Sequence, residues 1–125
     1  MTDYLQRILR ARVYDVARET PLEDAPNLSR RLQNRVLLKR EDLQPVFSFK
    51  LRGAYNQLAV NNPMGVVTWS VGSQGHSVAV AARALGIPVT VVMPERAPLK
   101  RRLAIERAGA RLRTHRATAR RRASG

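Results

Sequence analysis

The chain predicts an α/β fold with a parallel sheet, and three observations carry that expectation. Short β-rich runs alternate with helical stretches between residues 65 and 114. Pro88-Val89-Thr90-Val91-Val92-Met93 has the unbroken apolar character of a strand buried on both faces. The helical stretches stop at glycines, Gly86 and Gly109, where a left-handed residue closes a helix without steric cost. Strand–helix–strand–helix–strand at this spacing favours right-handed crossovers between parallel neighbours.

The elements run in chain order. Residues 4 to 11 predict a short helix, with Tyr4, Leu5, Ile8 and Leu9 on one face. Pro21 and Pro26 interrupt the next stretch, and Asn27 to Leu32 suggests a helical turn capped by Asn27. Arg35-Val36-Leu37-Leu38-Lys39 reads as a strand, followed by a polar turn and a loop. Phe49 to Ala59 predicts a helix whose apolar stripe is Leu51, Ala54, Tyr55 and Leu58. Gly65 to Trp69 is a short strand, and the glycine-bearing turn after it leads to a helix start with Ser73 as N-cap. Val78 to Leu85 is an alanine-rich helix closed by Gly86. The strand from Pro88 ends at Pro94, and Pro98 fits the first turn of a helix that Gly109 terminates. Ala110 to Thr114 starts a further strand.

Composition bounds the functional classes. A length of 125 residues fits one small domain. No apolar run approaches the roughly 20 residues of a membrane helix, and Asp3 with scattered arginines is unlike a signal peptide. Without cysteine there is no disulfide frame and no thiolate metal site, so a cytoplasmic protein is expected. The net charge of +14 is unevenly distributed: residues 96 to 125 hold eleven Lys/Arg and one acid, Glu106. Residues 116–125 have no apolar period and read as a basic, disordered tail after a domain spanning 1–115. Such an arm attracts phosphates, but it carries no aromatic side chain to stack on bases. A non-enzymatic basic protein binding nucleic acid through this tail is therefore the alternative from another class. His76 and His115 have no flanking carboxylates at ligand spacing, so no metal site is expected.

Lys50 is the leading candidate for chemistry. It stands where a loop becomes a helix, in Ser48-Phe49-Lys50-Leu51-Arg52-Gly53-Ala54. An amine fixed at such a junction can form a Schiff base with an aldehyde. Phe47 and Phe49 are suited to drying the surroundings, while Arg52 either points to solvent or pairs with an acid. The second candidate is Ser70-Val71-Gly72-Ser73-Gln74-Gly75-His76-Ser77-Val78-Ala79, a strand end, glycine turn and helix start. Its free amides make a seat for a carboxylate or phosphate. Trp69 beside this loop reads as packing.

The run from Leu38 to Asn56, with Val13-Tyr14-Asp15-Val16-Ala17 and Thr20-Pro21-Leu22 upstream, resembles the serine/threonine dehydratases that use pyridoxal 5'-phosphate, and among them the biosynthetic threonine dehydratases (threonine ammonia-lyases). The resemblance extends from about Tyr4 to Ala110 and covers the N-terminal portion of such an enzyme. It implies the two α/β lobes of the tryptophan-synthase-β-like (fold type II) pyridoxal-phosphate enzymes, here incomplete. It implies that Lys50 carries the cofactor and serves as the base at Cα, with Phe49 and Ser73 beside the cofactor. Ser70, Gly72, Ser73 and Gln74 would receive the substrate carboxylate. The implied reaction is deamination of L-threonine to 2-oxobutanoate and ammonia, in isoleucine biosynthesis; serine dehydratase or serine racemase activity is the alternative within the family. A homo-oligomer is implied for the full-length enzyme.

Departures from the pattern are specific. The family places Ser-Ala-Gly-Asn-His-Ala-Gln-Gly-Val-Ala at residues 70–79, so Ser73 stands for the asparagine, Gln74 for the histidine and Ser77 for the second glycine. The segment between Ala59 and Gly65 is several residues shorter than the family's. The family's later glycine-rich loop for the cofactor phosphate, and its serine at the pyridine nitrogen, have no counterpart after Gly109. The tail composition is what an out-of-frame reading of GC-rich DNA would produce. The expectation is an inactive or weakly active fragment.

Overall fold

A computed structural model of the chain describes residues 3–116. The N-terminal region holds α1 (Tyr4–Arg10), β1 (Leu22–Asp24), α2 (Pro26–Leu32) and β2 (Leu37–Lys39). Then come α3 (Lys50–Asn61), β3 (Val66–Trp69), α4 (Ser73–Ala84), β4 (Val89–Pro94), α5 (Leu99–Arg107) and β5 (Arg111–His115). Asp3 caps α1, its carboxylate accepting from the Gln6 amide at 3.1 Å.

The expected parallel sheet is present, with strand order β3-β4-β5. Its register sets Val67 beside Thr90, and Thr90 beside Arg111. Alternation along β4 sends Val89, Val91 and Met93 into the core. Against them pack Leu51, Ala54, Tyr55 and Leu58 of α3, the predicted stripe, together with Val78, Ala79, Ala81 and Ala82 of α4 and Ile105 of α5. The alanines let α3 and α4 approach closely. Gly75 allows the tightest approach: a Cβ there would lie 2.9 Å from Val91 Cγ1 and 3.1 Å from Ser70 Cβ.

Several boundaries differ from expectation. Asn27 does not cap α2; the helix starts at Pro26, with Ala25 in the N-cap position. Proline suits that first position because its missing N–H would be unpaired there anyway. The strand expected over 35–39 contracts to β2 and lies outside the parallel sheet, antiparallel to β1. No periodicity marks β1, whose three residues are all exposed; only the pairing makes it a strand. Helix α4 begins five residues before Val78, and Gly72 rather than Ser73 is its N-cap. Its packing on β4 overrides the poor helix propensity of Gly75. Pro98 occupies the N-cap of α5, one position ahead of its first turn. The expected tail lies outside the described residues except for Arg116, which donates to Glu95 at 3.3 Å. Among the described residues no helix is long and apolar enough to cross a membrane.

Candidate active site

The loop before α3 is held by a buried polar hub. Gln44 is 1 % exposed, and its side-chain amide closes both hydrogen bonds with Arg18, accepting from its N–H and donating to its C=O, each at 2.8 Å. Glu41 accepts from Arg52 Nε at 2.8 Å and from the Thr20 hydroxyl at 2.6 Å. The Arg52 hydrogen bond, aided by Thr20 and Gln44 against the opposing effect of burial, lowers the Glu41 carboxyl to a pKa of about 2. The Arg52 guanidinium also lies 5.2 Å from the Tyr14 ring centroid. Arg52 thus pairs with an acid and is not a free positive neighbour of Lys50. These contacts join the chain at Arg18–Thr20, the turn at Glu41–Gln44 and the first turn of α3.

Phe47 adopts a left-handed φ of 56°, its N–H donating to Gln44 C=O at 2.8 Å. The chain reverses there and enters α3 at Lys50, whose N–H donates to Ser48 Oγ at 3.3 Å. Lys50 is half-buried, whereas the other two lysines, Lys39 and Lys100, are exposed. Lys50 lines an open cleft of about 610 Å³ between α3, β3 and α4, shared with Phe49, Gln57, Thr68 and Gln74. The aromatic rings do not dry this site as expected: Phe47 is 78 % exposed and Phe49 64 %. Nothing within residues 3–116 covers them. Trp69, expected to pack, is likewise exposed at the end of β3.

The second candidate segment forms the turn into α4. Ser70 is buried, and its N–H donates to Val92 C=O at 2.9 Å, which anchors the turn to β4. Its hydroxyl accepts from the amides of Gly72 at 3.1 Å and Gly75 at 2.9 Å. Ser70 therefore does the capping expected of Ser73, which instead occupies the first helical position. Among the described residues the amides of Ser73 and Gln74 have no hydrogen-bond partner. Arg101 donates to Val71 C=O at 2.6 Å and ties the turn to α5.

The structure divides the predicted site residues between two clefts. Lys50, Phe49 and Gln74 share the first; Gly72 and Ser73 line a second, of about 390 Å³, with His76, Lys100 and Arg101. Burial holds the His76 imidazole below its ordinary pKa, favouring the neutral ring. His115 is exposed at the end of β5. Among the described residues no group of three His, Cys, Asp or Glu could hold a metal ion. Sequence reading missed the Thr20–Glu41–Gln44–Arg52 hub and the tie from Arg101. The Glu41 and Arg52 pair lies eleven residues apart, a spacing that signals nothing without the intervening turn.

The donor set fits part of a pyridoxal phosphate site. A half-buried amine suits an aldehyde, and two unpaired amides at a helix N-terminus suit a carboxylate. Residues 108–116 hold a single glycine, Gly109, so the described region after α5 has no glycine-rich cradle for the phosphate.

The pyridoxal-phosphate dependent enzyme family model matches residues 13–124. The chain belongs to this family. It is 59 % identical over 100 residues to a threonine dehydratase-like protein of Alternaria alternata, an alignment covering 77 % of this chain and 24 % of that protein. Identity to the biosynthetic L-threonine dehydratase IlvA of Burkholderia multivorans is 55 % over 101 residues, 77 % of this chain and 20 % of the relative. Among solved structures, the processed threonine deaminase isoform 2 of Solanum lycopersicum superposes with a TM-score of 0.81 at 42 % identity, covering 92 % of this chain and 35 % of that one. Maize serine racemase gives 0.78 at 28 % identity, covering 90 % and 36 %. The chain thus spans about a quarter or less of the length of these curated relatives. Its parallel sheet and helices are part of the fold-type-II pyridoxal-phosphate architecture.

Proposed function

We propose that this chain is the N-terminal part of a threonine dehydratase of the biosynthetic type, which deaminates L-threonine to 2-oxobutanoate and ammonia. The observation that carries the reading is the placement of Lys50: the one half-buried lysine of three, at the first turn of α3 and facing a cleft. When bound, pyridoxal phosphate supplies an electron sink for the charge left at Cα. The chain's residues supply position and proton handling. The Lys50 amine holds the cofactor's aldehyde end and, once released, takes the proton from Cα. The unpaired amides of Ser73 and Gln74 receive the substrate carboxylate, and the positive end of α4 favours its charge. The resemblance sets Ser73 beside the cofactor ring, although here it lines the second cleft, and Phe49 borders the Lys50 cleft.

Threonine is favoured over serine because the superposed threonine deaminase is 42 % identical and the serine racemase 28 %. Cytoplasmic placement is part of the same reading, while a second tomato relative, threonine dehydratase 1, is named chloroplastic. The described residues hold the aldehyde and carboxylate ends of the site without a phosphate cradle, so turnover by this chain alone should be slight. Incubation with pyridoxal phosphate, borohydride reduction and peptide mapping test the assignment. The adduct is expected on Lys50. Equal labelling of Lys39, Lys50 and Lys100 would overturn it.

A further inference from the structure

An all-parallel sheet ordinarily has both faces covered. Here α3, α4 and α5 cover one face, packing with Val89, Val91 and Met93. Among the described residues the opposite face is open. The parallel register lines it with two rows that run across the strands. One row is Val67, Thr90 and Arg111; the other is Trp69, Val92 and Arg113. Val67 is 74 % exposed and Trp69 62 %, both arginines are exposed, and Thr90 and Val92 are half-buried between them. Neither row holds an acid, and among the described residues neither guanidinium has a carboxylate partner. Neighbouring strands lie about 4.8 Å apart, so each row has an apolar end and a cationic end roughly 10 Å from each other.

We infer that this open sheet face binds single-stranded nucleic acid, with a base stacked on Trp69 and phosphates paired with Arg111 and Arg113. The basic C-terminal stretch has no aromatic group of its own, and the sheet brings one into register with its arginines. An unpaired base offers a flat π surface to the indole, while guanidiniums take phosphate oxygens of the same strand in charge-assisted hydrogen bonds. A duplex keeps its bases stacked on one another and leaves the ring without a partner. A protein helix seated on the face would bury two guanidiniums and would have to bring carboxylates to meet them. The net charge of +14 favours a polyanion over a surface of mixed charge.

Trp69 is the chain's single tryptophan, so its fluorescence reports the contact directly. A short oligothymidylate should quench it saturably in the unmodified chain, and the affinity should fall with salt. Each phosphate neutralised on a single strand contributes about 0.7 to the slope of log affinity against log salt, so Arg111→Gln with Arg113→Gln should flatten that slope by about 1.4. Trp69→Ala should weaken the binding of dye-labelled oligothymidylate, read by anisotropy, about tenfold, and Trp69→Phe should recover most of the loss. These side chains are exposed, so circular dichroism should show the same fold in every variant. No quenching by oligothymidylate in the unmodified chain overturns the site whatever the variants do. A salt slope unchanged in the double arginine variant hands the phosphates to other basic residues and overturns this face. An equal response of Trp69 to poly-L-glutamate would make the face a seat for an acidic protein segment and overturn the nucleic-acid reading.

Discussion

The two halves of the described chain are held by different forces. From α3 onward, burial dominates: Leu51, Ala79, Ala81, Ala82, Val91 and Met93 are 0 % exposed. Before α3 only Ala17, Thr20, Gln44 and Val46 are buried, and α1, β1, α2 and β2 contribute no buried residue. That region is attached through Glu41, Arg52, Thr20 and Gln44, and through Tyr55, whose hydroxyl donates to Asp15 at 2.6 Å. Apolar burial is non-directional and survives changes of pH, whereas the polar attachment depends on charge state and geometry. Lys50 stands on the boundary between the two regimes. Its helix is rooted in the core, and the loop that delivers it is held by the polar hub.

Three perturbations test this division, the first with the largest effect. Met93→Ala empties space in the core beside the end of β4 and should cost about 2–5 kcal/mol, unfolding both halves together; urea denaturation followed by circular dichroism would measure it. A loss below about 1 kcal/mol would show that the sheet does not carry the stability. Second, acid should loosen the N-terminal region before the core. The folded-state pKa of Glu41, about 2, lies below its ordinary value, so the stabilisation is complete above about pH 4.5 and fades as pH falls toward 2. Allowing for solvent screening, the loss is on the order of 1–2 kcal/mol. Exchange of the Arg18 and Phe47 amides should quicken across that range, and Glu41→Gln should remove the pH dependence. Third, Ser77→Ala should stabilise by about 1 kcal/mol, because the Ser77 hydroxyl is fully buried with no hydrogen-bond partner and alanine is the better helix former. A lower melting temperature for this variant would mean that the hydroxyl has a partner in solution.

Much of the second half was legible in the residues. Apolar runs placed β3 and β4, and the stop at Gly109 placed β5; burial and local propensity agree in β4 and along the stripe of α3. The first half was less legible, since β1 carries two acids in three residues and exists only through pairing with β2. The start of α4 was missed for a related reason: Gly72 and Gly75 argue locally against a helix, and only its close approach to Val91 and Ser70 explains Gly75. The site divides in the same way. The run around Lys50 pointed to the lysine and the cofactor class. It could not show that Phe47 and Phe49 stay exposed, or that Ser70 rather than Ser73 does the capping.

The chain's own residues, read in order, were enough for the α/β class, the parallel run of strands and the choice of Lys50, because hydrophobic period, helix stops and a contiguous motif are local signals. The capping hydroxyl of Ser70, the unpaired amides of Ser73 and Gln74, and the Glu41 hub were decided by tertiary structure. Each depends on hydrogen-bond capacity being shared between groups that meet only after the chain has folded.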